Sequence, residues 1–408
     1  MTSKSGGYIG RALEPVLRKA AREFPAVVLT GPRQSGKTTL LQRLFGKHCS
    51  WVSLEAPENR EFAVKDPRGF LKRYPPPVVI DEVQYVPQIL SYVKEAIDAN
   101  RRAHGRFLLT GSQNLLLMSG VSESLAGRAA ILRLLPLSRR EVDGIPPRPF
   151  PWEGGVRPAR GGAGTDTWGR LVRGWYPELA AEPRRAHDLW HSSYSQTYLE
   201  RDIRSLRQVG DLTLYQSFLR MLAARSGGLL SLSDLSRDLG VAVNTIKAWL
   251  SLLETTFQVI VLRPYHTSAG KRLIKAPKAY FTDTGTLCHL TGVEDGRSAS
   301  FGPMTGPIFE TAVLSEIVKS FVNAGKEPRV YFWRTSYGAE VDFVVEHEGR
   351  LIPIEAKATS TPRPGMTGGI DAFRKTYGAK AGPGFLVHAG ESRLPLGADV
   401  TAVPFREF

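Results

Sequence analysis

The feature that most constrains this chain is a glycine-rich octapeptide that follows a short apolar run near its start. Residues 31–38 read Gly-Pro-Arg-Gln-Ser-Gly-Lys-Thr, and the segment 25–30 directly before them is mostly apolar. A strand, a glycine-rich turn and a helix start in this order form the context of a phosphate-binding loop. Glycines allow backbone N–H groups to close around a phosphate, and the helix directs its positive end at the same charge. We therefore predict a nucleotide site here.

The same motif predicts the cofactors and the residues that contact them. Lys37 is expected to reach the β- and γ-phosphates of ATP, and the Thr38 hydroxyl is expected to bind Mg²⁺. The residues predicted to surround the nucleotide are Gly31, Pro32, Arg33, Gln34, Ser35, Gly36, Lys37, Thr38 and Thr39.

A second apolar strand delivers two carboxylates. Residues 77–82 read Pro-Val-Val-Ile-Asp-Glu. We predict that Asp81 holds Mg²⁺ through water and that Glu82 orients and deprotonates the attacking water. The alternative is a strand that ends by chance in a helix-capping acid. The phosphate loop about forty residues upstream favours the catalytic interpretation.

Two further positions are candidates for sensing phosphate. The strand predicted over 106–112 ends in small polar residues, and Ser112 or Gln113 is placed to sense the γ-phosphate, with Thr110 less favoured. Arg128 precedes the strand predicted over 129–134. It is expected to contact phosphate in cis or to act as an arginine finger across a subunit boundary in a homo-oligomer. A solvated surface charge is the alternative.

The order of these elements predicts an α/β domain. Strands that alternate with helices indicate a mostly parallel sheet with helices on both faces. Nucleotide would then lie at the carboxyl ends of the strands.

Composition narrows the class of partner. The net charge of +15 favours a polyanion partner, most readily DNA, although arginine-rich genome bias is an alternative.

The two cysteines, Cys49 and Cys288, give neither a metal spacing nor a disulfide framework. Residues 1–21 lack the apolar core of a signal peptide, and no run reaches the roughly 18 apolar residues of a membrane span. We expect a cytoplasmic protein without a membrane partner.

The middle of the chain begins with residues 145–169, which are dense in proline and glycine and predict a surface loop or lid. Residues 186–208 follow with a helical pattern. This segment ends with basic residues at Arg201, Arg204 and Arg207, which suit a solvated face; Arg201 with Asp202 could instead form an interdomain pair or a sensor of nucleotide state.

Residues 231–254 have the pattern of a helix-turn-helix, with a glycine turn at Gly240. Strand-like segments at 259–262 and 278–282 flank a basic loop, which together predict a winged helix. The nucleic-acid contacts expected from it are Asn244, Thr245 and Lys247 in the groove, and Lys271, Arg272 and Lys275 on phosphates. The alternative is a rigid nucleotide-sensing lid or a protein dock.

The last hundred residues carry a charged cluster on predicted strands. Alternation places Glu355 and Lys357 on one side of a strand, and Asp342 lies on the strand before it. This pattern resembles the PD-(D/E)xK nuclease fold. The resemblance implies that Asp342 and Glu355 bind Mg²⁺, that Lys357 steadies the attacking water, and that Glu310 completes the metal site. The alternative is that these charged side chains only pair with one another, and that the C-terminal region binds DNA or a partner without cleaving it.

The segments GPRQSGKTTL, VVIDEVQ, LLTGSQ and SLAGR resemble the AAA-type ATPase domain of a large prokaryotic family whose members carry a C-terminal domain named DUF4143. The resemblance continues through residues 174–178 and 198–203. Glu55 departs from it, since aspartate is common there. The regions expected are a P-loop ATPase domain at 1–144, a linker and helical region at 145–210, a winged helix at 211–300 and a nuclease-like domain at 301–408.

These features favour an ATP-hydrolysing, DNA-associated protein in which nucleotide state controls the winged helix and the nuclease-like domain. A nucleotide-regulated switch that binds a protein partner and cuts nothing is the alternative. A processive motor that requires a ring is a third hypothesis.

Overall fold

The amino-terminal part of the chain is built on a parallel sheet. A computed structural model describes residues 7–111, 121, 124–147, 150–153, 166–198, 211–265 and 275–408. Five strands pair in the order β2-β3-β4-β1-β5, and every pair is parallel. They are β1 (Ala26–Thr30), β2 (Ser50–Ser53), β3 (Val78–Asp81), β4 (Phe107–Gly111) and β5 (Ala129–Arg133). The predicted α/β fold is confirmed.

Helices cover both faces of this sheet. They are α1 (Glu14–Glu23), α2 (Lys37–Phe45), α3 (Pro57–Lys65), α4 (Pro67–Arg73) and α5 (Ile89–Asp98), and the short α6 (Arg139–Val142) follows β5. Successive side chains of a strand point to opposite faces. Val27 and Leu29 accordingly pack with α1 and α2, whereas Ala26 and Val28 pack with α3 to α5.

The middle region is mainly helical. Its elements are α7 (Thr167–Arg173), α8 (Pro177–Ala181), α9 (His187–Tyr198), α10 (Leu212–Ala224), α11 (Leu232–Leu239), α12 (Val243–Thr255), β6 (Val259–Leu262), β7 (Lys278–Phe281), α13 (Thr284–Thr291) and α14 (Gly296–Phe301). Ser231 caps α11 by accepting from the Asp234 N–H, and Gly240 ends it at φ 67°. Helices α11 and α12 match the predicted helix-turn-helix segments, and β6 and β7 pair antiparallel.

The C-terminal region is a mixed sheet with two helices. Its elements are α15 (Thr305–Asn323), β8 (Val330–Arg334), β9 (Glu340–His347), β10 (Arg350–Lys357), α16 (Gly368–Tyr377), β11 (Gly384–His388), β12 (Leu394–Gly397) and β13 (Val400–Pro404). The strand order is β12-β13-β11-β10-β9-β8. Strands β9 and β10 form the predicted antiparallel hairpin, while β10 pairs parallel to β11.

The middle and C-terminal regions share one hydrophobic core. A single cluster of buried side chains runs from α10 to α12 through α15 to the C-terminal sheet. The backbone also crosses between them, because the Tyr265 N–H donates to the Phe332 carbonyl at 2.7 Å and the Phe332 N–H donates to the Arg263 carbonyl at 3.2 Å. The two regions therefore form one packed unit.

Part of the segment 145–169 is packed, which corrects the prediction of a surface loop. Phe150 is buried and stacks on Trp152 with ring centroids 4.3 Å apart, and both rings contact Phe408. The proline and glycine content indicated a loop, but the aromatic side chains bury apolar area against a distant part of the chain. Residues 148–149 and 154–165 lie outside the described residues.

The shared core gives a test on two phenylalanines. Phe309 is fully buried between Trp168 and Phe405, whereas Phe301 is 88% exposed. We expect Phe309→Ala to lower the free energy of unfolding by about 3–5 kcal/mol in urea titrations, because it leaves a cavity. Phe301→Ala should change it by less than about 0.5 kcal/mol. Equal losses in the two variants would contradict the shared core.

Candidate nucleotide site and carboxylate cluster

The phosphate loop joins β1 to α2 and folds around its own lysine. The Lys37 Nζ donates to the carbonyl oxygens of Gly31 at 3.0 Å and Pro32 at 2.9 Å, and the side chain is buried. Gly36, directly before α2, has φ 90°, which disfavours any residue with a Cβ. The turn that the motif predicts is therefore present, with its lysine directed into the loop.

Strand β3 delivers Asp81 to the start of α2. The Thr38 Oγ1 lies 3.3 Å from each carboxylate oxygen of Asp81. Burial raises the pKa of Asp81, while hydrogen bonds from Thr110 and Thr38 act in the opposite direction. Hard oxygen donors that converge in this way fit Mg²⁺, so Thr38 and Asp81 are the residues that would hold it.

Thr110 on the neighbouring β4 organises both acidic residues. Its hydroxyl donates to the Asp81 Oδ1 and accepts from the Glu82 N–H at 3.1 Å. Sequence reasoning treated Thr110 only as a less favoured phosphate sensor. Its role follows from the pairing of β3 with β4, which places the end of one strand beside the end of the other.

Glu82 adopts an uncommon backbone conformation. Its φ is 55°, and a non-glycine residue stays in this left-handed region only where the surrounding structure holds its backbone. The side chain lines the cavity beside Lys37 and Thr38, and the Gln84 amide donates to its carboxylate. Glu82 is thus placed beside the residues predicted to bind phosphate and Mg²⁺.

The cavity around these residues has a volume of about 730 Å³. The predicted nucleotide residues that line it are Arg33, Gln34, Gly36, Lys37, Thr38 and Thr39, and Glu82, predicted to be catalytic, lines it as well. Its other wall comes from Tyr8, Arg11, Pro177, Glu178 and Tyr194, which the phosphate-loop motif does not reveal. The cavity therefore lies between the ATPase sheet and the middle helices.

Arg128 is not brought to this cavity, so the predicted contact with phosphate in cis is wrong. It precedes β5, and β5 runs parallel to β1, which places Arg128 at the opposite edge of the sheet from the phosphate loop. Its guanidinium pairs with Asp98, with Nε and Nη2 at 2.9 Å and 3.0 Å from the carboxylate oxygens. An arginine finger across a subunit boundary stays a prediction. Ser112 and Gln113 lie outside the described residues.

The C-terminal hairpin brings together the three residues of the predicted nuclease-like cluster. The Lys357 Nζ lies 2.6 Å from the Glu355 Oε1 and 4.0 Å from the Asp342 Oδ2. Asp342 also accepts from the Ala356 N–H at 2.9 Å. The lysine therefore bridges the two carboxylates.

Burial dominates the electrostatics of this cluster. It raises the pKa of Glu355 to about 8, with a further rise from the charge of Asp342. Burial raises the pKa of Glu310 to about 7 and also raises the pKa of Asp342. Burial alone would lower the pKa of Lys357, but the neighbouring carboxylates outweigh it and raise that pKa. The Glu355 Oε2 is buried without a hydrogen-bond partner among the described residues.

The predicted three-carboxylate metal set is not assembled. Glu310 on α15 accepts from the Tyr280 hydroxyl at 3.1 Å. Within the described residues, no three His, Cys, Asp or Glu side chains stand at the spacing of a common metal site. Asp342 and Glu355, with its unpartnered oxygen, are the pair that would hold a cation. Lys278 and Tyr280 on β7, near the cluster, were missed by sequence reasoning because they belong to another region.

The predicted nucleic-acid residues lie at the start of α12 and beside β7. Asn244 and Lys247 are exposed, Thr245 is half-buried, and Lys275 is exposed. Lys271 and Arg272 lie outside the described residues, as does the Arg201–Asp202 pair. In the part of the chain that the structure describes, no helix combines the length and apolar character needed to cross a bilayer.

Comparison with known proteins places the chain in a family. A family described as "AAA domain" matches residues 23–143, "Domain of unknown function (DUF8612)" matches 165–297 and "Domain of unknown function (DUF4143)" matches 305–408. Uncharacterized proteins of Mycobacterium tuberculosis and Mycobacterium bovis are each 33% identical over 392 residues, covering 95% of this chain and 82% of the relative. The chain belongs to the family that joins an AAA-type ATPase domain to a DUF4143 domain.

Two solved structures overlap with parts of the chain. The Walker-type ATPase of Pyrococcus abyssi is 14% identical with a TM-score of 0.44, covering 68% of this chain and 94% of that chain. A RuvB variant of Thermotoga maritima is 18% identical with a TM-score of 0.27, covering 61% and 86%. Likenesses of this size do not bear on function.

A threonine pair tests the role of Thr110. Thr110→Val removes the hydroxyl that orients Asp81 and the Glu82 backbone, and we expect the ATP hydrolysis rate to fall by roughly 10- to 100-fold. Thr30→Val is the matched control, because Thr30 is equally buried on the adjacent β1 and its hydroxyl has no partner among the described residues. The steady-state rate of phosphate release measures both. Similar rates in the two variants would show that Thr110 does not organise the acids.

The raised pKa of Glu355 predicts a dependence of stability on pH. Folding raises this pKa to about 8. The protonated Glu355 side chain therefore stabilises the folded state fully at a pH below its unfolded pKa of ~4.3, and this stabilisation is lost as the pH rises through about 8. We expect wild type to lose stability relative to Glu355→Gln between about pH 5 and about pH 9, by on the order of 1 kcal/mol or more.

Urea unfolding across this pH range measures the difference. Glu348→Gln is the control, because Glu348 lies just before β10 and its side chain is 86% exposed. A parallel pH dependence of wild type and Glu355→Gln would contradict the assignment.

Proposed function

We propose that this protein hydrolyses ATP and associates with DNA, and that its nucleotide state controls a winged helix and a nuclease-like C-terminal region acting on nucleic acid. The observation that carries the proposal is the cluster of Asp342, Glu355 and Lys357, which the fold assembles in the same chain as a complete phosphate loop. Burying charge costs several kcal/mol per ion, so an acidic cluster retained on a buried hairpin favours a chemical role.

The ATPase part of the proposal assigns a role to each residue at the cavity. Lys37 would neutralise charge on the β- and γ-phosphates, and Thr38 with Asp81 would hold Mg²⁺. Thr110 holds Asp81 in place and fixes the backbone of Glu82. Glu82 would accept a proton from the attacking water, since its side chain lies beside Lys37 and Thr38.

The nuclease-like part rests on the geometry of the hairpin. Asp342 and Glu355 would hold Mg²⁺, a Lewis acid that stabilises charge on a phosphoryl oxygen. The Lys357 side chain is 38% exposed and its ammonium is close to both carboxylates, so it can hold an attacking water or a phosphate oxygen next to them. Tyr280 would hold Glu310 next to the site through its hydroxyl.

Charge and exposure support a nucleic-acid partner. The net charge of +15 raises the affinity for polyanions at low salt. Asn244 and Lys247 are exposed near the start of α12, where a recognition helix presents its side chains to the groove. Lys275 adds an exposed cation beside β7.

A second candidate function is a nucleotide-regulated switch that binds a protein partner and cuts nothing. The observation that favours it is the internal pairing of the cluster, in which Lys357 already satisfies one oxygen of Glu355 at 2.6 Å. An acid–lysine pair of this kind can stabilise a fold without catalysis.

A cleavage and binding panel tests the proposal. We expect Mg²⁺-dependent nicking of one or more of single-stranded, duplex or branched DNA, with a rate that differs between ATP-free protein and Glu82→Gln loaded with ATP. Lys357→Ala should lower nicking by roughly 100-fold or more while DNA affinity stays within about threefold. Lys247→Glu should weaken DNA binding about tenfold, because it reverses a charge at the groove.

The control for charge reversal is Lys72→Glu, which changes an exposed lysine of the ATPase domain. Absence of DNA binding at low salt, with and without nucleotide, would remove nucleic acid from the function, because phosphate-driven binding is strongest there. Binding without nicking, unchanged in Lys357→Ala, would favour the switch.

A further inference from the structure

A buried arginine outside every sequence motif contacts the phosphate loop. Arg11 lies before α1, and its side chain is 3% exposed. Its guanidinium donates to the Ser35 carbonyl at 2.7 Å, to the Leu135 carbonyl at 2.6 Å and to the Glu141 Oε1 at 3.0 Å. These acceptors lie on two different segments, the phosphate loop and residues 135–141, which we name the connecting segment.

The contact with Ser35 controls a backbone donor of the loop. In a trans peptide the carbonyl of one residue and the N–H of the next point in opposite directions. A donor fixed on the Ser35 carbonyl therefore fixes the direction of the Gly36 N–H, which belongs to the turn that closes around phosphate. The planar guanidinium makes these bonds in a fixed geometry, which a flexible ammonium group does not.

Glu141 holds the other side of Arg11. One of its oxygens accepts from Arg11 and from the Ala12 N–H at 2.7 Å, and the other accepts from the Ser138 N–H at 2.7 Å. Ser138 accepts in turn from the Glu141 N–H, which completes a capping box at the start of α6. The carboxylate therefore accepts three hydrogen bonds from two segments of the chain, which hold it in place as an anchor for the arginine.

The connecting segment is also bound to the helix that carries Glu310. The Arg139 N–H donates to both oxygens of Glu316 on α15, at 3.0 and 3.1 Å. The buried Lys319, one turn further along α15, donates to the Leu137 carbonyl at 2.9 Å. An unbroken series of buried polar contacts therefore runs from the phosphate loop to α15.

We propose that Arg11 is a positioning residue for nucleotide binding. It holds the phosphate loop in a fixed position relative to the connecting segment, which is itself bound to α15 through the contact of Arg139 with Glu316. Arg11 orients the loop that receives the phosphates, while Lys37, Glu82, Thr38 and Asp81 are left to act on the reacting groups. The proposal depends on nucleotide binding by the loop and not on any activity of the C-terminal region.

Steady-state ATP hydrolysis by the full chain tests the role of Arg11. Arg11→Lys keeps the charge but cannot reach three acceptors at once. We expect KM for ATP to rise about tenfold, which equals ~1.4 kcal/mol, with kcat changed less than about threefold. The Kd of a fluorescent ADP analogue with Mg²⁺ should rise in parallel. A variant that merely unfolds in part would show a lower kcat at unchanged KM, and that result overturns the proposal.

Two further variants complete the test. Glu316→Gln weakens the acceptor of the Arg139 N–H without touching the cavity wall, and we expect KM to rise about threefold. Arg68→Lys is the control, because Arg68 forms an exposed ion pair with Glu95 at 2.9 Å. The KM of this variant for ATP should stay at the wild-type value. An unchanged KM in Arg11→Lys overturns the positioning role, and an unchanged KM in Glu316→Gln overturns its extension to α15. Since none of these measurements involves nucleic acid, their failure is distinguishable from failure of the proposed function.

Discussion

The buried ion pair between Arg11 and Glu141 is the interaction on which the arrangement of the chemical sites depends. Both side chains are 3% exposed, so each charge would be strongly destabilising without its partner. The pair is tolerated because both groups make further hydrogen bonds. Arg11 donates to the carbonyls of Ser35 and Leu135, and Glu141 accepts from the Ala12 and Ser138 N–H groups. Hydrogen bonds from the Arg139 N–H to Glu316, and from Lys319 to the Leu137 carbonyl, then join the connecting segment to α15.

The nucleotide cavity follows from that placement. One wall is the phosphate loop with Glu82, and the other comes from α8 and α9 of the middle region, including Glu178 and Tyr194. A ligand in this cavity therefore contacts two regions at once. The buried aromatic side chains of this second wall, Tyr176, Trp190 and Tyr194, form a cluster of their own with Leu179. Gln258, directly before β6, joins this cluster to the shared core by donating to the Tyr194 hydroxyl at 3.0 Å.

The carboxylate cluster shows a balance between two opposing effects. Burial raises the pKa values of Glu355 and Glu310, while Lys357 and the Tyr280 hydroxyl stabilise the charged forms. Strand β7 of the middle region supplies Tyr280, so the electrostatics of the C-terminal site depend on a neighbouring region. This dependence explains why the cluster could be recognised in the sequence but its environment could not.

Local sequence determined the phosphate loop, the strands β1 and β3 that flank its chemistry, the helix-turn-helix and the hairpin that carries Asp342 and Glu355. Each of these depends on spacing, glycine conformation or alternation within a few residues, so short-range physics is sufficient. Only the tertiary structure decided the contacts of Arg11 and Thr110 and the packing of Phe150, because their partners are remote in sequence. It also places Arg128 away from the nucleotide cavity, since a residue that precedes a parallel strand lies at the amino edge of the sheet, opposite the phosphate loop.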